Sequence, residues 1–588
     1  GRALSVLPAA DTAAIVISAQ SGIDTVTRRV MKAAAAQRLC RMIIINKIDA
    51  EEIDLAALLN DIQATFGPEC LPLNLPAADG EGVVDCFFQP TGAETLIGSF
   101  ETAHTQIVDQ VVEVDEELME MYLEQGEELE PAQLHDPFEK ALREGHLVPV
   151  CFVSARTGAG IPELLQVFEE LMPSPLESNP PRFLKGEGED PEVVVIKPDR
   201  SGHTIAHVFM VNIDPFKGRL GVCRVHQGMI RVGNQLYVGD ARKPIKVNQL
   251  LKLNGETHSP LDRAVPGDIC AIPRVEEVHY DAVLHDSHDE DHFHLKSIDL
   301  PKPIYGLAIR PPKDSDAQKI SDALRIVEAE DPSLSVEHNT ALNEIVLRGL
   351  GELHLRTVLE VLKDRYDLEV ETALPSIAYR ETVTRPAEGH HRHKKQTGGA
   401  GQFGEVYLRI TPLPRGEGFR FRSEVVGGNI PSQYIPAVET GVRQAMDAGA
   451  VYGYPMQDIE VVVYDGKHHS VDSKEIAFIQ AGRKAFLDAV AKARPILLEP
   501  LVEVAVTVPA NCAGGVTGDL ASMRGMVSGT EALPDGRIVV NGLVPLKEAQ
   551  DYHSRLKSLS AGEGSYEMEF SHYAEAPPES LGEKRAAS

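Results

Sequence analysis

The chain has 588 residues, 43% of them hydrophobic, and a formal net charge of −31. That length supplies material for several cores, while the acidic balance gives no global pull toward a polyanion, so any nucleic-acid contact needs local basic patches. No run approaches the roughly 20 apolar residues of a membrane helix, no stretch reads as a secretion signal, and seven scattered cysteines without a C-x-x-C pair point to free thiols in a reducing cytoplasm.

The first elements alternate. AAIVISA (Ala13–Ala19) predicts a buried strand, Asp24–Gln37 a helix, and RMIIIN (Arg41–Asn46) the next strand. VPVCFVSA (Val148–Ala155) continues the series, and the helix from Gly160 stops at Pro173. Continuous apolar strands between helices predict a parallel sheet covered on both faces. The acidic stretch Val111–Glu130 predicts a solvated helix. Pro173–Pro191, rich in proline, glycine and charge, predicts a linker. From Glu192 to about Pro301, short β-branched runs and turns predict a β-barrel.

Next comes an order seen twice. Ile304–Arg310 is a strand, and Ile320, Ala323, Leu324 and Val327 share one helix face. LSVEH and EIVLRG are strands, Leu355, Val358, Leu359 and Leu362 mark a second helix, and LEVET closes. The result is βαββαβ, a ferredoxin-like unit. Glu499 onward repeats it, with Pro534-Asp535-Gly536 turning the middle strands. Tyr566, Met568 and Phe570 alternate on its last strand and predict one buried face. A mixed region, Ser376–Pro495, lies between the two units, and the tail 577–588 has no core-forming content.

Asn46-Lys47-Ile48-Asp49 ends an apolar strand, as a guanine reader requires. Ionised Asp49 offers two acceptors to the N1–H and N2–H2 donors of guanine, a pair adenine lacks. The stem of Lys47 can cover the base, Asn46 can tie neighbouring loops, and a backbone N–H at Ser154-Ala155 can meet guanine O6. The phosphate side differs. No G-x-x-x-x-G-K-[ST] string occurs in the sequence. Gly466-Lys467 lacks the earlier glycine and the hydroxyl, and Asp79–Gly82 follows the guanine motif instead of preceding it.

Two later loops are polar and basic. GHHRHKKQTGGAGQFGEV (Gly389–Val406) reads equally as a flexible solvated hairpin or as a phosphate and base contact, with Phe403 available to stack. In YDGKHHSVDS (Tyr464–Ser473), Asp472 or Ser473 reads best as the cap of the following helix. His279, His285, His288, His292 and His294, with Asp286, Asp289 and Asp291, lack regular ligand spacing, so the group reads as a polar surface loop and no metal site is assigned.

Taken with RGLGELHL (Arg348–Leu355), YRETVT (Tyr379–Thr384), GDLASMRG and VPLKEAQDYHSRLKSLSAGEGSYEMEFSHYAEAP, these motifs make the chain resemble the elongation factor G family from Gly1 to about Ala576. The resemblance implies a multidomain α/β and α+β protein: a partial P-loop-type GTPase domain at 1–174, a β-barrel at 190–298, ferredoxin-like domains at 301–375 and 496–576 flanking a mixed α+β domain at 376–495, and a disordered tail at 577–588. It implies a cytoplasmic, monomeric GTPase that uses GTP and Mg2+ and drives translocation of the tRNA–mRNA complex on the ribosome. Guanine contacts then fall to Asn46, Lys47, Asp49, Ser154 and Ala155. Ribosome and tRNA contacts fall to Lys394, Lys395, Gln396, Gly398, Gly399, Gly401, Gln402, Lys467, His468 and His469, with His469 at the family's tip histidine. This favours RNA contact for both polar loops.

Some features depart from the family. The P-loop, first switch and DxPG segment are absent from the sequence, Leu350 replaces the usual Met, and Lys467-His468 is unusually basic. The clean cut suggests a truncated form of a complete GTPase, with the Mg2+ ligands and hydrolytic residues in the missing segment, so the chain as given is not expected to hydrolyse GTP alone. The alternatives are a non-hydrolysing ribosome-binding paralogue, or a GTPase for ribosome recycling or protection.

Overall fold

The computed structural model describes residues 2–577 apart from 89–92, 126–130, 187–190, 215, 256, 297, 299, 340–341, 343, 396–400 and 534–535. The turn at Pro534-Asp535, the tail 578–588 and the end of the acidic stretch therefore lie outside the described residues, as do Gln396, Gly398 and Gly399. The chain divides into two units, one of Gly1–Pro303, Pro311–Val336 and His354–Glu369, the other of Ile304–Arg310, Glu337–Leu353 and Val370–Ser588.

The first unit opens with the expected parallel sheet. β1 (Thr12–Ser18), α1 (Thr25–Ala36), β2 (Cys40–Asn46), α2 (Leu55–Phe66), β3 (Cys70–Pro72), β4 (Val148–Val153) and α3 (Ile161–Glu170) follow in order. The sheet runs β1-β2-β4-β3, every pair parallel. Asp24 starts α1 by accepting from the Thr27 N–H at 2.6 Å, a cap that satisfies one orphan amide. β4 is buried at all six positions, because helices cover both faces of a parallel sheet. The acidic stretch forms a helix over Glu116–Gln125.

The barrel is an eight-stranded sheet. At its centre, β5 (Ile205–Asp214) pairs antiparallel with β6 (Gly218–Gln227), which pairs with β7 (Ile269–Pro273). On its other edge β5 pairs with β8 (Val283–His285). The expected linker is partly strand. Arg182–Lys185 pairs with Glu192–Val195 and Phe293–Leu295. The cause is Phe183, fully buried against Ile196, Ile205, Val283 and Leu295, where its burial is worth about 1.5–3 kcal/mol.

The first βαββαβ order appears as β9 (Tyr305–Arg310), α4 (Ala317–Glu330), β10 (Ser335–Asn339), β11 (Glu344–Gly349), α5 (Glu352–Tyr366) and β12 (Glu371–Ala373). Its sheet order is β10-β11-β9-β12. The buried residues of α4 are Ile320, Ala323, Leu324 and Val327, the four expected.

In the second unit, β13 (Ala387–Lys395), β14 (Gln402–Pro412), β15 (Phe419–Ser423) and β16 (Ile459–Lys467) form one sheet in the order β13-β14-β16-β15. α6 (Ile435–Ala448) and α7 (Glu475–Lys492) share its core. Gly389 lets β13 lie against α7; an added Cβ would run into the Ala485 carbonyl oxygen and sit 2.7 Å from Ala489 Cβ. The last repeat follows as β17 (Pro495–Pro509), α8 (Ala513–Ser522), β18 (Met526–Ala532), β19 (Arg537–Pro545), α9 (Tyr552–Leu559) and β20 (Ser565–Glu575). β17 sits between β20 and β19, and β18 lies outside β19, which reproduces the connectivity of the first repeat. One expectation fails here: Tyr566 is buried, but Phe570 is 60% exposed. The register against β17 skips Ser571, between His572 and Phe570. That bulge lies beyond Phe570, so Tyr566, Met568 and Phe570 keep one face, opposite Val506, Val504 and Val502, and that face is no longer covered at Phe570.

Of the seven cysteines, six are buried and Cys512 is partly exposed; all are free thiols. Burial pushes the Cys40 thiol up to about 11 and the Cys70, Cys86 and Cys151 thiols to about 12.

Candidate functional site

Two neighbouring parallel strands, β2 and β4, end side by side, with Asn46 opposite Val153. Their following loops therefore meet. Asn46 Oδ1 accepts from the Lys47 N–H at 2.7 Å and from the Ala155 N–H at 3.1 Å. Ser154 Oγ donates to Asp49 Oδ1 at 2.6 Å. Lys47 has φ of 68°, a left-handed conformation that turns the chain sharply after the strand, and the Ile48 N–H returns to the Val153 carbonyl at 3.3 Å. Arg156 Nε lies 3.3 Å from Asp49 Oδ2, a contact that sequence reading missed because only the folded loop brings it there. The Ser154 hydroxyl, and then Arg156, hold the Asp49 carboxyl below its ordinary range. The loop thus presents a fixed, ionised carboxylate whose remaining lone pairs can accept two N–H donors.

The second set of candidates surrounds a cleft of about 620 Å³. The hairpin of β13 and β14 brings Lys395 opposite Gln402, and β16 pairs along β14 so that Lys467 meets Glu405. Lys394, Lys395, Gly401, Gln402, Lys467, His468 and His469 all line the cleft, joined by Arg392, Phe403 and Asn429. Arg392 stacks over the Phe403 ring, 5.3 Å from its centroid. His468 Nδ1 lies 3.1 Å from the Asn429 carbonyl oxygen. No sequence pattern announced the loop of Gly427, Gly428 and Asn429 as a third wall.

The expected helix cap is corrected. The residue before α7 is Lys474, which makes no side-chain cap. Ser473 instead accepts from the His469 N–H at 2.8 Å and donates to the Phe403 carbonyl oxygen at 2.9 Å. His469 Nδ1 lies 3.2 Å from the Asp472 N–H. Ser473 and Asp472 thus fold the tip and tie it to the hairpin, which competes with capping.

The histidines from 279 to 294 do not converge. His285 is buried with its two nitrogens on the Ser287 and Gly239 carbonyls, at 2.7 and 2.8 Å. His292 pairs with Asp240 and His288 with Asp291.

The chain thus carries a parallel sheet with a carboxylate-bearing loop, a barrel and α+β units in sequence order. Family models match nearly the whole chain: the elongation factor Tu GTP binding domain at 3–174, and elongation factor G domain 2 at 204–282, domain III at 300–374, domain IV at 375–494 and C-terminus at 496–584. An elongation factor G of Thermotoga petrophila is 35% identical over 604 residues, spanning 99% of this chain and 85% of that protein. An elongation factor G-like protein of Mycobacterium tuberculosis is 35% identical over 612 residues, with the same coverage. A crystal structure of a Thermus thermophilus protein superposes with a TM-score of 0.79 at 34% identity, covering 100% of this chain and 87% of the other. The chain belongs to the elongation factor G family, the translational GTPases that act in ribosomal translocation.

Proposed function

We propose that this chain reads guanine through Asn46, Lys47, Asp49, Ser154 and Ala155, and engages the tRNA–mRNA complex on the ribosome through the cleft of Lys394, Lys395, Gly401, Gln402, Lys467, His468 and His469. The observation that carries the reading is the meeting of the two strand-end loops, where Ser154 fixes Asp49 and Asn46 fixes Ala155. Asp49 accepts from the base, the Lys47 stem covers one face, and the Ala155 region offers backbone N–H groups to O6. Gln396, Gly398 and Gly399, outside the described residues, are proposed from the sequence alone to contact RNA as well.

Phosphoryl transfer rests on positioning and charge neutralisation of the phosphates. The sequence holds no G-x-x-x-x-G-K-[ST] string to supply them. We therefore expect the chain as given to discriminate guanine without turning GTP over. The protein acts as a cytoplasmic monomer in this reading. None of its described helices is long and apolar enough to cross a membrane.

The test is nucleotide competition and phosphate release with the purified chain, with and without ribosomes. Guanine nucleotides displacing a labelled guanosine probe better than adenine ones, without turnover, support the reading. Equal displacement by adenine nucleotides defeats it. Turnover defeats the claim about hydrolysis alone. The absent phosphate cradle favours one second reading, a ribosome binder insensitive to GTP analogues; ribosome pelleting with and without a non-hydrolysable analogue decides it.

A further inference from the structure

The barrel brings a histidine together with two carboxylates that stand far from it in sequence. β8 runs antiparallel to β5, with His285 opposite Ile205. One step beyond the strand ends, the Thr204 N–H donates to Asp286 Oδ1 at 3.0 Å. The chain then makes a short 3-10 turn, His288–Glu290. That turn returns Glu290 to the same edge, where His203 Nδ1 lies 2.8 Å from Glu290 Oε1. One ligand atom from each of His203, Asp286 and Glu290 lies within 4.8 Å of the others. Glu290 is 8% exposed, and its Oε2 is buried without a hydrogen-bond partner. Oε1 is already paired with His203, so what remains unmet is the demand of the buried Oε2 for a further partner.

We propose that His203, Asp286 and Glu290 bind a divalent transition-metal ion, Zn2+ by ligand type, as a structural clamp on the barrel edge. One imidazole and two carboxylates suit zinc. An imidazole ligand argues against Ca2+ and Mg2+, which take oxygen ligands. Three protein ligands leave one tetrahedral position to water. The Thr204 amide orients the Asp286 carboxylate from outside the ligand set. His203 stands 83 positions before Asp286, so the ion would join the start of β5 to the loop after β8. The inference is independent of the nucleotide and ribosome reading.

The test uses the full chain, stripped by a chelator and titrated with Zn2+ against a chromophoric competitor, with Co2+ as a visible-absorbing substitute. The expected result is one tight equivalent, a Co2+ absorption band, and a melting temperature raised by zinc. His203→Ala and Glu290→Gln should each weaken binding at least about tenfold. His279→Ala removes an exposed histidine of the same stretch and should change nothing. Glu290→Gln keeps the side-chain shape, and its circular dichroism spectrum checks the fold. No tight zinc in the unaltered chain, or tight zinc that survives Glu290→Gln in a folded protein, overturns the assignment.

Discussion

Ser154 Oγ donates a 2.6 Å hydrogen bond to Asp49 Oδ1 across 105 positions of sequence. Two loops from different strands thereby share one carboxylate. Removing the hydroxyl by Ser154→Ala takes away one of the two side chains that hold Asp49, leaving Arg156 at its Oδ2, and should cut the preference for guanosine over inosine diphosphate by about tenfold. Inosine lacks the 2-amino donor, so this ratio isolates the second carboxylate contact. An unchanged ratio would show that Asp49 does not meet the 2-amino group.

The tip cleft should show itself in salt dependence. Lys394, Lys395 and Lys467 are exposed around it. Replacing all three by alanine should reduce the slope of log affinity against log salt for ribosome binding by about 2. Pelleting assays over a potassium chloride series measure it. A uniform loss of affinity with the slope intact would mean that these cations act on the tip's own structure instead of on phosphates.

Asp331 links three segments of the first unit. It is buried, and Arg2 Nε and His354 Nε2 each lie 3.3 Å from its Oδ2. Burial raises its carboxyl, but hydrogen bonds from His354 and Ser333 outweigh burial and hold it well below the ordinary value of 3.8. A lowered folded-state value means that the ionised group stabilises the fold above 3.8 and loses that contribution as the pH falls below it. Asp331→Asn should cost about 1–3 kcal/mol near neutral pH. That gap should narrow in urea melts near about pH 3. A pH-independent gap would mean that shape, and not charge, matters at this position.

Gly389→Ala should destabilise the second unit by about 1–3 kcal/mol, because the new methyl meets the Ala485 carbonyl and α7 must shift. Gly416→Ala is a useful contrast. It has φ of 89° but no atom within 4 Å of an added Cβ, so any loss there reports backbone strain alone. Thermal melts of the two variants separate the terms.

Much of the architecture was legible because its signals are local. The apolar runs of β1, β2 and β4, and the i, i+3, i+4, i+7 spacing of α4, lie within a few turns of chain. What escaped depended on pairing between distant segments. Phe183 turns part of an apparent linker into strand because its cluster partners arrive from residues 196 to 295. Phe570 keeps the alternating register with Tyr566 and Met568 yet is exposed, because alternation says which side chains share a face and not how far along the strand that face is covered. Ser473 has the chemistry of a cap but finds the Phe403 carbonyl first. The guanine motif was readable at the level of residue types, whereas Arg156 beside Asp49 was not. His203 stands too far upstream of Glu290 for any spacing rule to join them.

The distribution of thiols makes the protein easy to watch. Burial holds the Cys40, Cys70, Cys86 and Cys151 thiols in their unreactive protonated form, and Cys223 and Cys270 face each other inside the barrel, 3.7 Å apart. Cys512, just before α8, is the one partly open sulfur. A maleimide dye added to the native protein should therefore mark a single position in the last repeat, without engineering, and give a distance probe for following that repeat as the protein docks and departs.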